Sequence, residues 1–185
     1  MRKTRRRIVD AATELHATLG PAKTSIVAIA ERAGVQRQTV YRHFPDDRSL
    51  FEACVEHQMS QDPPPDPELW RRMADPRSRL RVALAEVYAY FERTEDIRSN
   101  VIRDLPALPS LQAAHQRFDD HWVSLRDLLS QGWGVRGGRR AALLAAIGHA
   151  LDFSTWQSLV RRQGLSTERA IEVMEQFVAS IAGRS

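Results

Sequence analysis

The sequence of 185 residues has a single cysteine, Cys54, and no long apolar run. One cysteine excludes an internal disulfide and fits a reducing compartment. The longest charge-free apolar stretch, Ala141 to Leu151, has 11 residues, whereas a membrane-spanning helix needs roughly 18. Residues 1–7 are basic, but acidic residues interrupt the apolar pattern that follows, so no secretory signal is predicted. We therefore expect a cytoplasmic protein with no membrane partner.

The common sequence motifs of enzymes are also missing. No P-loop, GxSxG or HExxH motif occurs. Residues 132–137 match GxGxxG, but a dinucleotide site needs a strand before these glycines, and the preceding LRDLLSQ has a helical pattern. His115 and His121 are six residues apart, which does not place both on one helix face. We predict no catalytic residue, no metal and no cofactor, and we interpret 132–137 as a loop between helices.

No alternating apolar and polar run is long enough to predict a sheet, whereas helical periodicity extends along most of the chain. The fold class is therefore predicted to be all-α. The segment QDPPPDP at 61–67 cannot continue a helix because it contains four prolines. We expect an N-terminal domain at 1–50, a connecting fourth helix at about 46–59, and a C-terminal domain at 60–185. Further helices are expected at about 76–95, 97–104, 110–131, 138–162 and 166–183.

Two short helical patterns surround a glycine in TSIVAIAERAGVQRQTVYRHF, residues 24–44. The first has apolar residues at i, i+3, i+4 and i+7, starting at Ile26, and Thr24 or Ser25 can cap its start. Gly34 follows it, where a left-handed residue commonly ends a helix. Such a helix-turn-helix inserts its second helix into the DNA major groove.

The second short helix begins near Gln36, and its inward positions are Val40 and Phe44. Its outward positions carry side chains that suit a duplex, because Arg can bind guanine, Gln can bind adenine and Thr can contact a thymine methyl group. Tyr, His and Arg also donate to phosphates, which fixes register. A solvated polar helix face is the alternative. The predicted DNA contacts are Arg5, Arg6, Thr24, Ser25, Gln36, Arg37, Gln38, Thr39, Tyr41, Arg42, His43 and Arg48.

The order of a basic arm, a long helix, IAERAGV, TVYRHF and DDRSLFEACVEH resembles the N-terminal domain of TetR-type transcriptional repressors over about the first 58 residues. The resemblance implies that Arg37, Gln38 and Thr39 meet bases or nearby phosphates. It also implies that Tyr41 and His43 hold the DNA backbone.

Two positions depart from that family pattern. Gln36 stands where the family usually has a small N-cap residue, and Asp47 stands where it usually has a phosphate-binding Lys. Arg48 is the candidate to replace that Lys. Asp46 is a candidate cap for the fourth helix, because a carboxylate is favoured at a helix N-terminus.

Charge is distributed unevenly along the chain. Residues 1–50 have 10 basic and 5 acidic side chains, which gives +5, whereas residues 51–185 have 17 and 18, which gives −1. Phosphate neutralisation by such a basic region releases counterions, so binding should weaken with salt. The basic arm at 2–7 can follow the backbone or enter the minor groove, and we expect it to lack fixed structure without DNA.

The last two predicted helices are apolar over more than one face, so they must bury two sides. One side can pack within its own domain and the other against a second subunit, and the TetR resemblance implies the same arrangement. An internal helix pair in a monomer is the alternative. The predicted homodimer contacts are Ala142, Ala145, Ala146, His149, Ile171, Met174, Val178 and Ile181.

Large apolar residues on the C-terminal helices are candidates to enclose a small molecule, because ligand pockets are mostly apolar with few polar groups. Packed cores consist of the same residue types, so both interpretations stay open. The candidates are Tyr88, Phe91, Ile102, Phe118, Trp122, His149, Phe153 and Trp156, with His115 and His121 as further polar anchors.

Together these patterns predict a non-enzymatic homodimeric repressor that binds a palindromic operator in double-stranded DNA. An unidentified small-molecule effector would release it, since a ligand that changes subunit spacing changes operator affinity. The alternative is an α-helical interaction protein whose basic N-terminal face binds a partner without any operator.

Overall fold

The computed structural model describes residues 2–183, apart from the side chain of residue 117, and it contains no strand within that range. The predicted all-α fold class is therefore confirmed. The helices are α1 (Arg2–Thr18), α2 (Ile26–Ala33), α3 (Arg37–His43), α4 (Asp47–Gln61), α5 (Glu68–Arg71), α6 (Pro76–Arg93), α7 (Glu95–Asp104), α8 (Pro109–Leu129), α9 (Gly138–Ala150), α10 (Phe153–Trp156) and α11 (Thr167–Ile181). Turns of 3₁₀ helix lie at Pro21–Lys23 and Leu105–Ala107, and Gln157–Arg162 is π-helical.

The chain divides into two compact units. The first contains the residues up to Pro63 together with Thr94–Arg117, and the second contains Pro64–Arg93 together with the residues from Phe118 onward. The first boundary between the two units, between Pro63 and Pro64, therefore lies within the proline-rich segment 61–67. The functional domain limits, 1–50 and 60–185, stay a prediction. Among residues 2–183, no helix combines the length and the apolar character that crossing a bilayer requires.

In the first unit, α1 to α4 surround one apolar core. The stripe expected on α1 is confirmed, because Ile8, Ala11 and Ala12 are buried and Leu15 packs against them. Cys54 of α4 belongs to the same core, and burial raises the pKa of its thiol to about 12. This thiol is thus a small apolar core residue, as its position on the helix predicts.

Side chains of α7 hold the end of α1 and the connection to α2, because they form hydrogen bonds with the backbone there. The Asn100 amide donates to the carbonyl of Ala17 at 2.6 Å, and the Asp104 carboxylate accepts the N–H of Ala22 at 3.0 Å. The guanidinium of Arg103 pairs with Asp104 and helps to lower the pKa of that carboxyl. These bonds fix the segment that leads into the helix-turn-helix.

In the second unit, α11 packs against α6 and α9. The buried Glu175 of α11 accepts hydrogen bonds from Arg77 at 2.6 Å and from Arg81 at 3.0 Å, both on α6. A buried carboxylate is tolerated when it is paired in this way. The two helices are therefore joined by apolar packing and by ion pairs.

The prediction of one continuous helix over 138–162 is wrong. Helix α9 ends at Ala150, and Asp152 adopts an extended conformation at φ −78° and ψ 134°. Its carboxylate accepts the N–H groups of Ser154 at 2.7 Å and Thr155 at 3.3 Å, so it caps a new helix, α10. Periodicity cannot distinguish this break from a continuous helix, because both segments keep an apolar face.

Helix α5 was not predicted, because its four residues are too short to show a period. Pro67 precedes it, and Trp70 anchors it with no exposed side-chain surface. The Trp70 indole N–H donates to the Glu86 carboxylate on α6 at 3.1 Å. A single buried aromatic residue thus stabilises one helical turn just after the proline-rich segment.

Candidate nucleic-acid interface

The turn between α2 and α3 has the geometry that its sequence predicts. The Ser25 hydroxyl accepts the N–H of Ala28 at 3.1 Å and caps α2. Gly34 is left-handed at φ 62° and ψ 43°, and the N–H of Val35 returns to the carbonyl of Ala30 at 2.9 Å. Val35 packs against the core at the corner. The two short helices are therefore held in a fixed relation.

Helix α3 directs its polar residues outward because its apolar residues are anchored. Val40 and Phe44 have 0% and 2% exposed surface, respectively, which confirms the inward positions. The predicted contact residues Gln36, Arg37, Gln38, Tyr41 and Arg42 are exposed, and Thr39 and His43 are half-buried. This surface is contiguous on one short helix, which is the form that the major groove admits.

Arg37 and Tyr41 interact on the exposed face of α3. The Arg37 guanidinium donates to the Tyr41 hydroxyl at 3.0 Å and lies 5.3 Å from the centroid of its ring. A cation over an aromatic face at this distance is attracted to it. The contact limits the rotamers of both side chains before any DNA is bound.

The residues at the helix starts have mixed roles. The Thr24 hydroxyl donates to the carbonyl of Gly20 at 2.8 Å, so it is committed within the turn. Ser25 accepts a bond as the cap of α2 and keeps its own O–H for donation. Gln36 precedes α3 without a side-chain capping bond, and its amide is exposed. Ser25 and Gln36 are therefore more available than Thr24 for contacts with DNA.

At the start of α4, Asp46 is the cap that the sequence suggests. Its carboxylate accepts the N–H of Ser49 at 2.7 Å, and the bonds from Ser49 lower the pKa of Asp46. Arg48 donates to Glu52 at 2.8 Å, one turn along the same helix. A phosphate contact by Arg48 would have to replace that exposed ion pair, and its role stays a prediction.

The expectation that the basic arm lacks fixed structure is wrong for residues 2–7, because α1 already begins at Arg2. Arg5 lies over the Phe44 ring, with its guanidinium carbon 4.9 Å from the ring centroid. Arg6 is exposed, and its Nε lies 4.0 Å from the Asp10 carboxylate. Both cations therefore extend the exposed basic surface from a rigid helix.

Arg7 has a structural role that sequence reasoning missed. Its guanidinium donates to the carbonyls of Ala33 and Gly34 at the end of α2. A cation is favoured at a helix C-terminus, where carbonyl groups lack partners within the helix. No local pattern links residue 7 to residue 33. The same holds for the bonds from Asn100 and Asp104 of α7, because their partners lie about eighty positions away in the sequence.

The candidate ligand residues of the second unit partly converge. We call the residues Tyr88, Phe91, Phe118, Trp122, Phe153 and Trp156 the aromatic cluster. Phe91 is central, with ring centroids 5.5 Å from Trp122, 5.4 Å from Phe153 and 6.0 Å from Trp156. The Trp122 ring lies 5.7 Å from Phe118, and Phe91 lies 6.2 Å from Tyr88.

Two polar groups of the aromatic cluster differ in their partners. The Tyr88 hydroxyl donates to the carbonyl of Ala150, at the end of α9, at 3.1 Å, and burial raises the pKa of Tyr88. The indole N–H of Trp156 is fully buried and has no acceptor among the described residues. A buried donor without a partner is rare in folded proteins and calls for an explanation.

Two predicted ligand residues do not join the aromatic cluster. Ile102 is 40% exposed and belongs to the first unit. His149 is exposed on α9, and its ring centroid lies 6.2 Å from that of Phe177 on α11. Its Nδ1 forms a hydrogen bond with the Thr155 hydroxyl at 3.1 Å. Neither residue is part of the aromatic cluster, and their assignment to a ligand site stays a prediction. His121 is adjacent to the cluster, and burial lowers its pKa.

The predicted dimer residues lie on both sides of α9 and α11. Ala146, Ile171, Met174 and Val178 are buried by the unit's own helices, so they are core residues and their assignment to a partner face is corrected. Ala142, Ala145 and His149 are exposed, and Ile181 is half-buried. Helix α11 also has an apolar residue on its outward side, because Phe177 is 40% exposed.

The comparisons with known proteins agree with this geometry. Residues 8–54 match the family model described as bacterial regulatory proteins, tetR family. A TetR-like transcriptional regulator from Rhodococcus sp. RHA1 superposes with a TM-score of 0.67 at 19% identity, covering 98% of this chain and 97% of that one. A putative TetR-family regulator from Syntrophomonas wolfei gives 0.67 at 17%, covering 98% and 96%. No curated protein matches the sequence.

A third similar structure contains a ligand. It is a putative transcriptional regulator from Saccharomonospora viridis in complex with choline, with a TM-score of 0.62 at 20% identity, covering 96% of each chain. At these identities the similarity establishes a shared fold along almost the whole chain.

A helix-turn-helix with an exposed basic second helix, joined to a larger helical unit, defines a DNA-binding regulator of transcription. The match at 8–54 identifies the N-terminal domain specifically. Residues 8–54 thus match the DNA-binding domain of the tetR family, and the chain has the fold of TetR-like regulators along almost its whole length.

Proposed function

We propose that this protein is a cytoplasmic, non-enzymatic repressor that binds a palindromic operator as a homodimer and leaves it when a small-molecule effector binds. The observation that carries the proposal is the outward face of α3, where Arg37, Gln38 and Arg42 are exposed while Val40 and Phe44 are buried. Arg and Gln are the residue types that read guanine and adenine by paired hydrogen bonds.

Operator binding is tested by fluorescence anisotropy with the intergenic DNA upstream of the gene and a random duplex, at about 150 mM salt. We expect a preference of roughly a thousandfold or more for the specific DNA. Arg37→Ala should reduce that preference by about 1–3 kcal/mol, because it removes a base contact. Arg5→Ala is the matched control, and it should weaken binding to all DNA alike and lower the salt slope by about one.

Equal effects of both variants on specific and random DNA would contradict the roles assigned to them. Absence of any preference in upstream DNA would call for random-site selection. Failure of that selection too would favour the interaction-protein alternative, in which the basic face binds a partner without an operator.

Dimer formation is proposed through the exposed faces of α9 and α11. Ala142 and Ala145 offer a flat surface of small side chains, and Phe177 and His149 pack edge to face beside it. Two copies of such a face can bury each other about a two-fold axis, and a two-fold dimer with two α3 helices suits a palindrome with half-sites about 34–36 Å apart.

The dimer is tested by sedimentation equilibrium with Ala145→Glu. A charge on this face should yield monomers, because burying an unpaired carboxylate is costly. Ala85→Glu is the matched control, since Ala85 is an exposed alanine on α6, and it should leave the dimer intact. An Ala145→Glu variant as dimeric as the control would refute the proposed interface.

The effector is proposed to bind at the aromatic cluster. Aromatic faces attract cations, quaternary ammonium groups included, and the Trp156 N–H offers a buried donor to an acceptor on the ligand. Choline has a quaternary ammonium group and a hydroxyl oxygen that can accept a hydrogen bond. A protein of the same fold binds it. Choline is therefore the first compound to test for operator release.

The effector proposal predicts that choline lowers operator affinity and that Trp156→Phe weakens this response. Phenylalanine keeps an aromatic face but lacks the N–H donor. Operator affinity without choline should be the same in both proteins. If choline releases the operator from Trp156→Phe as it does from the unaltered protein, Trp156 is not part of the effector site. If choline releases neither protein, other amphiphilic ligands are the next to test.

A further inference from the structure

Arg37 and Tyr41 form a side-chain pair on the exposed face of α3. Both residues are exposed, and they are four positions apart, so they lie on one face of the helix. Side chains in a helix lean toward its N-terminus. The Tyr41 ring therefore covers the turn that carries Arg37.

Two contacts hold the Arg37 guanidinium against Tyr41. Its Nη2 donates to the Tyr41 hydroxyl oxygen at 3.0 Å, and its central carbon lies 5.3 Å from the ring centroid. Arginine stacks on aromatic faces more readily than lysine does, because its guanidinium is planar and weakly hydrated. An arginine side chain loses much rotamer freedom when it is ordered. A contact that exists before DNA binds removes part of that cost from binding.

The pair leaves the charge of Arg37 unneutralised. Arg6, Arg32 and Arg48 of the same unit each pair with a carboxylate, whereas no carboxylate within residues 2–183 pairs with Arg37. A carboxylate would compete with the acceptors of DNA for the guanidinium, but an aromatic ring has no net charge. The ring therefore orders Arg37 while its full charge stays available to DNA.

The hydrogen bond to Tyr41 also leaves a complete pair of donors on Arg37. A guanidinium has five N–H groups, and parallel donors are formed by Nε with Nη2 and by Nη1 with Nη2. Each pair uses a different hydrogen of Nη2, so one bond to Tyr41 leaves the other pair intact. Two parallel donors are what binding to guanine O6 and N7 requires. Arg37 is the first residue of α3, and the N-terminal residues of a recognition helix are those that contact base edges.

We propose that Tyr41 is a positioning residue that orders Arg37 for reading a guanine in the operator. The inference rests on the proposed function, in which Arg37 contacts a base. It differs from the role that the TetR resemblance implies, in which Tyr41 holds the DNA backbone. A hydroxyl that only contacts phosphate strengthens binding to every sequence alike. Tyr41 acting through Arg37 strengthens binding only to sequences that offer the guanine.

The test compares the unaltered protein with Tyr41→Leu and Tyr41→Phe by fluorescence anisotropy. The probes are the duplex that the unaltered protein selects from a random-sequence library and a random duplex of the same length. Leucine removes the ring and the hydroxyl, so the preference for the selected duplex should fall about three- to tenfold, which corresponds to the cost of ordering one long side chain. Phenylalanine keeps the ring and should retain part of that preference. Because tyrosine is neutral, neither change should alter the salt slope.

Arg37→Ala is the background that separates the two roles of Tyr41. Without Arg37, Tyr41→Leu should change the preference by less than about twofold, because the side chain that Tyr41 orders is gone. A loss of preference that persists in the Arg37→Ala background would overturn the inference. A preference that Tyr41→Leu leaves unchanged would overturn it as well, and equal weakening on both duplexes would then assign Tyr41 to phosphate.

A second measurement needs no DNA, so it separates failure of this inference from failure of the proposed function. Nitrogen-15 relaxation of the arginine Nε–H groups reports how ordered each side chain is on the picosecond to nanosecond timescale. The matched control is Arg42, an exposed arginine of the same helix that has no ion pair or ring contact within residues 2–183. Arg37 should be more ordered than Arg42, and Tyr41→Leu should lower the order of Arg37 alone.

The two failures then differ in what is observed. A selection that recovers no preferred duplex would refute the proposed function, and the relaxation result alone would decide whether Tyr41 orders Arg37. An Arg37 as mobile as Arg42, or one that Tyr41→Leu leaves equally ordered, would overturn the inference even if the operator is bound.

Discussion

Replacing Gly34 by alanine tests the turn of the helix-turn-helix through two separable costs. The first is conformational, because Gly34 has φ 62° and an L-residue in the left-handed region costs about 1–2 kcal/mol. Part of this cost is offset by the smaller entropy of the unfolded chain, about 0.4–1 kcal/mol. A net loss of about 1 kcal/mol follows from backbone conformation alone.

The second cost is a contact. A Cβ at Gly34 would lie 2.8 Å from Nη2 of Arg7, so the guanidinium must leave the carbonyls at the end of α2. Losing that part-buried hydrogen bond costs about 0.5–1.5 kcal/mol. We therefore expect Gly34→Ala to lower the free energy of unfolding by about 1.5–2.5 kcal/mol, measured by urea denaturation of the full chain.

Gly164→Ala is the control for the first cost, because Gly164 has φ 72° and a Cβ there meets nothing within 4 Å. It should lower the free energy of unfolding by only about 1 kcal/mol. In an Arg7→Ala background, Gly34→Ala should then cost no more than this control, since the contact is already gone. An excess cost that persists without Arg7, or no excess at all, would refute the reasoning.

Two further predictions concern buried groups of the first unit. Burial lowers the pKa of His16 to about 4, below its unfolded value near 6.5, so the unfolded chain binds more protons between these values. The free energy of unfolding should fall by up to about 1.4 kcal/mol per pH unit as the pH drops from 6.5 toward 4. His16→Gln should reduce this pH dependence, measured as the urea midpoint at each pH. The same pH dependence in His16→Gln as in the unaltered protein would contradict the burial of a neutral imidazole. Because burial raises the pKa of Cys54 to about 12, its thiol should react with a disulfide reagent at pH 8 only after unfolding, and fast labelling of the native protein would show that the thiol is accessible.

The helix-turn-helix was predictable because its determinants are local. The cap at Ser25, the left-handed Gly34 and the apolar spacing that buries Val40 and Phe44 all act within a few residues of each other. The outward face of α3 follows from that spacing, so the residues of the candidate interface could be named in advance.

The remaining features depend on contacts that periodicity does not contain. Asp152 ends one helix and begins another, although the apolar pattern continues on both sides of it. Which side of α11 faces inward is decided by packing against α6 and α9, so Val178 and Phe177 could not be separated by sequence alone. Sequence alone also does not show that Arg79 of α6 is buried, with its Nη2 bonded to the carbonyl of Gln131.

The first unit is discontinuous in the sequence, because Thr94–Arg117 packs with the residues up to Pro63. During translation the helix-turn-helix leaves the ribosome well before α7, whose Asp104 and Asn100 hold the connection into α2. At about 5–20 residues per second, roughly 3–11 s separate the synthesis of residue 63 from that of residue 117. For that interval the nascent chain has the core around Val40 but lacks the cover supplied by Leu111 and Ala114 over Phe51. The nascent DNA-binding unit thus reaches its full structure only after α5 and α6 of the second unit have also been made.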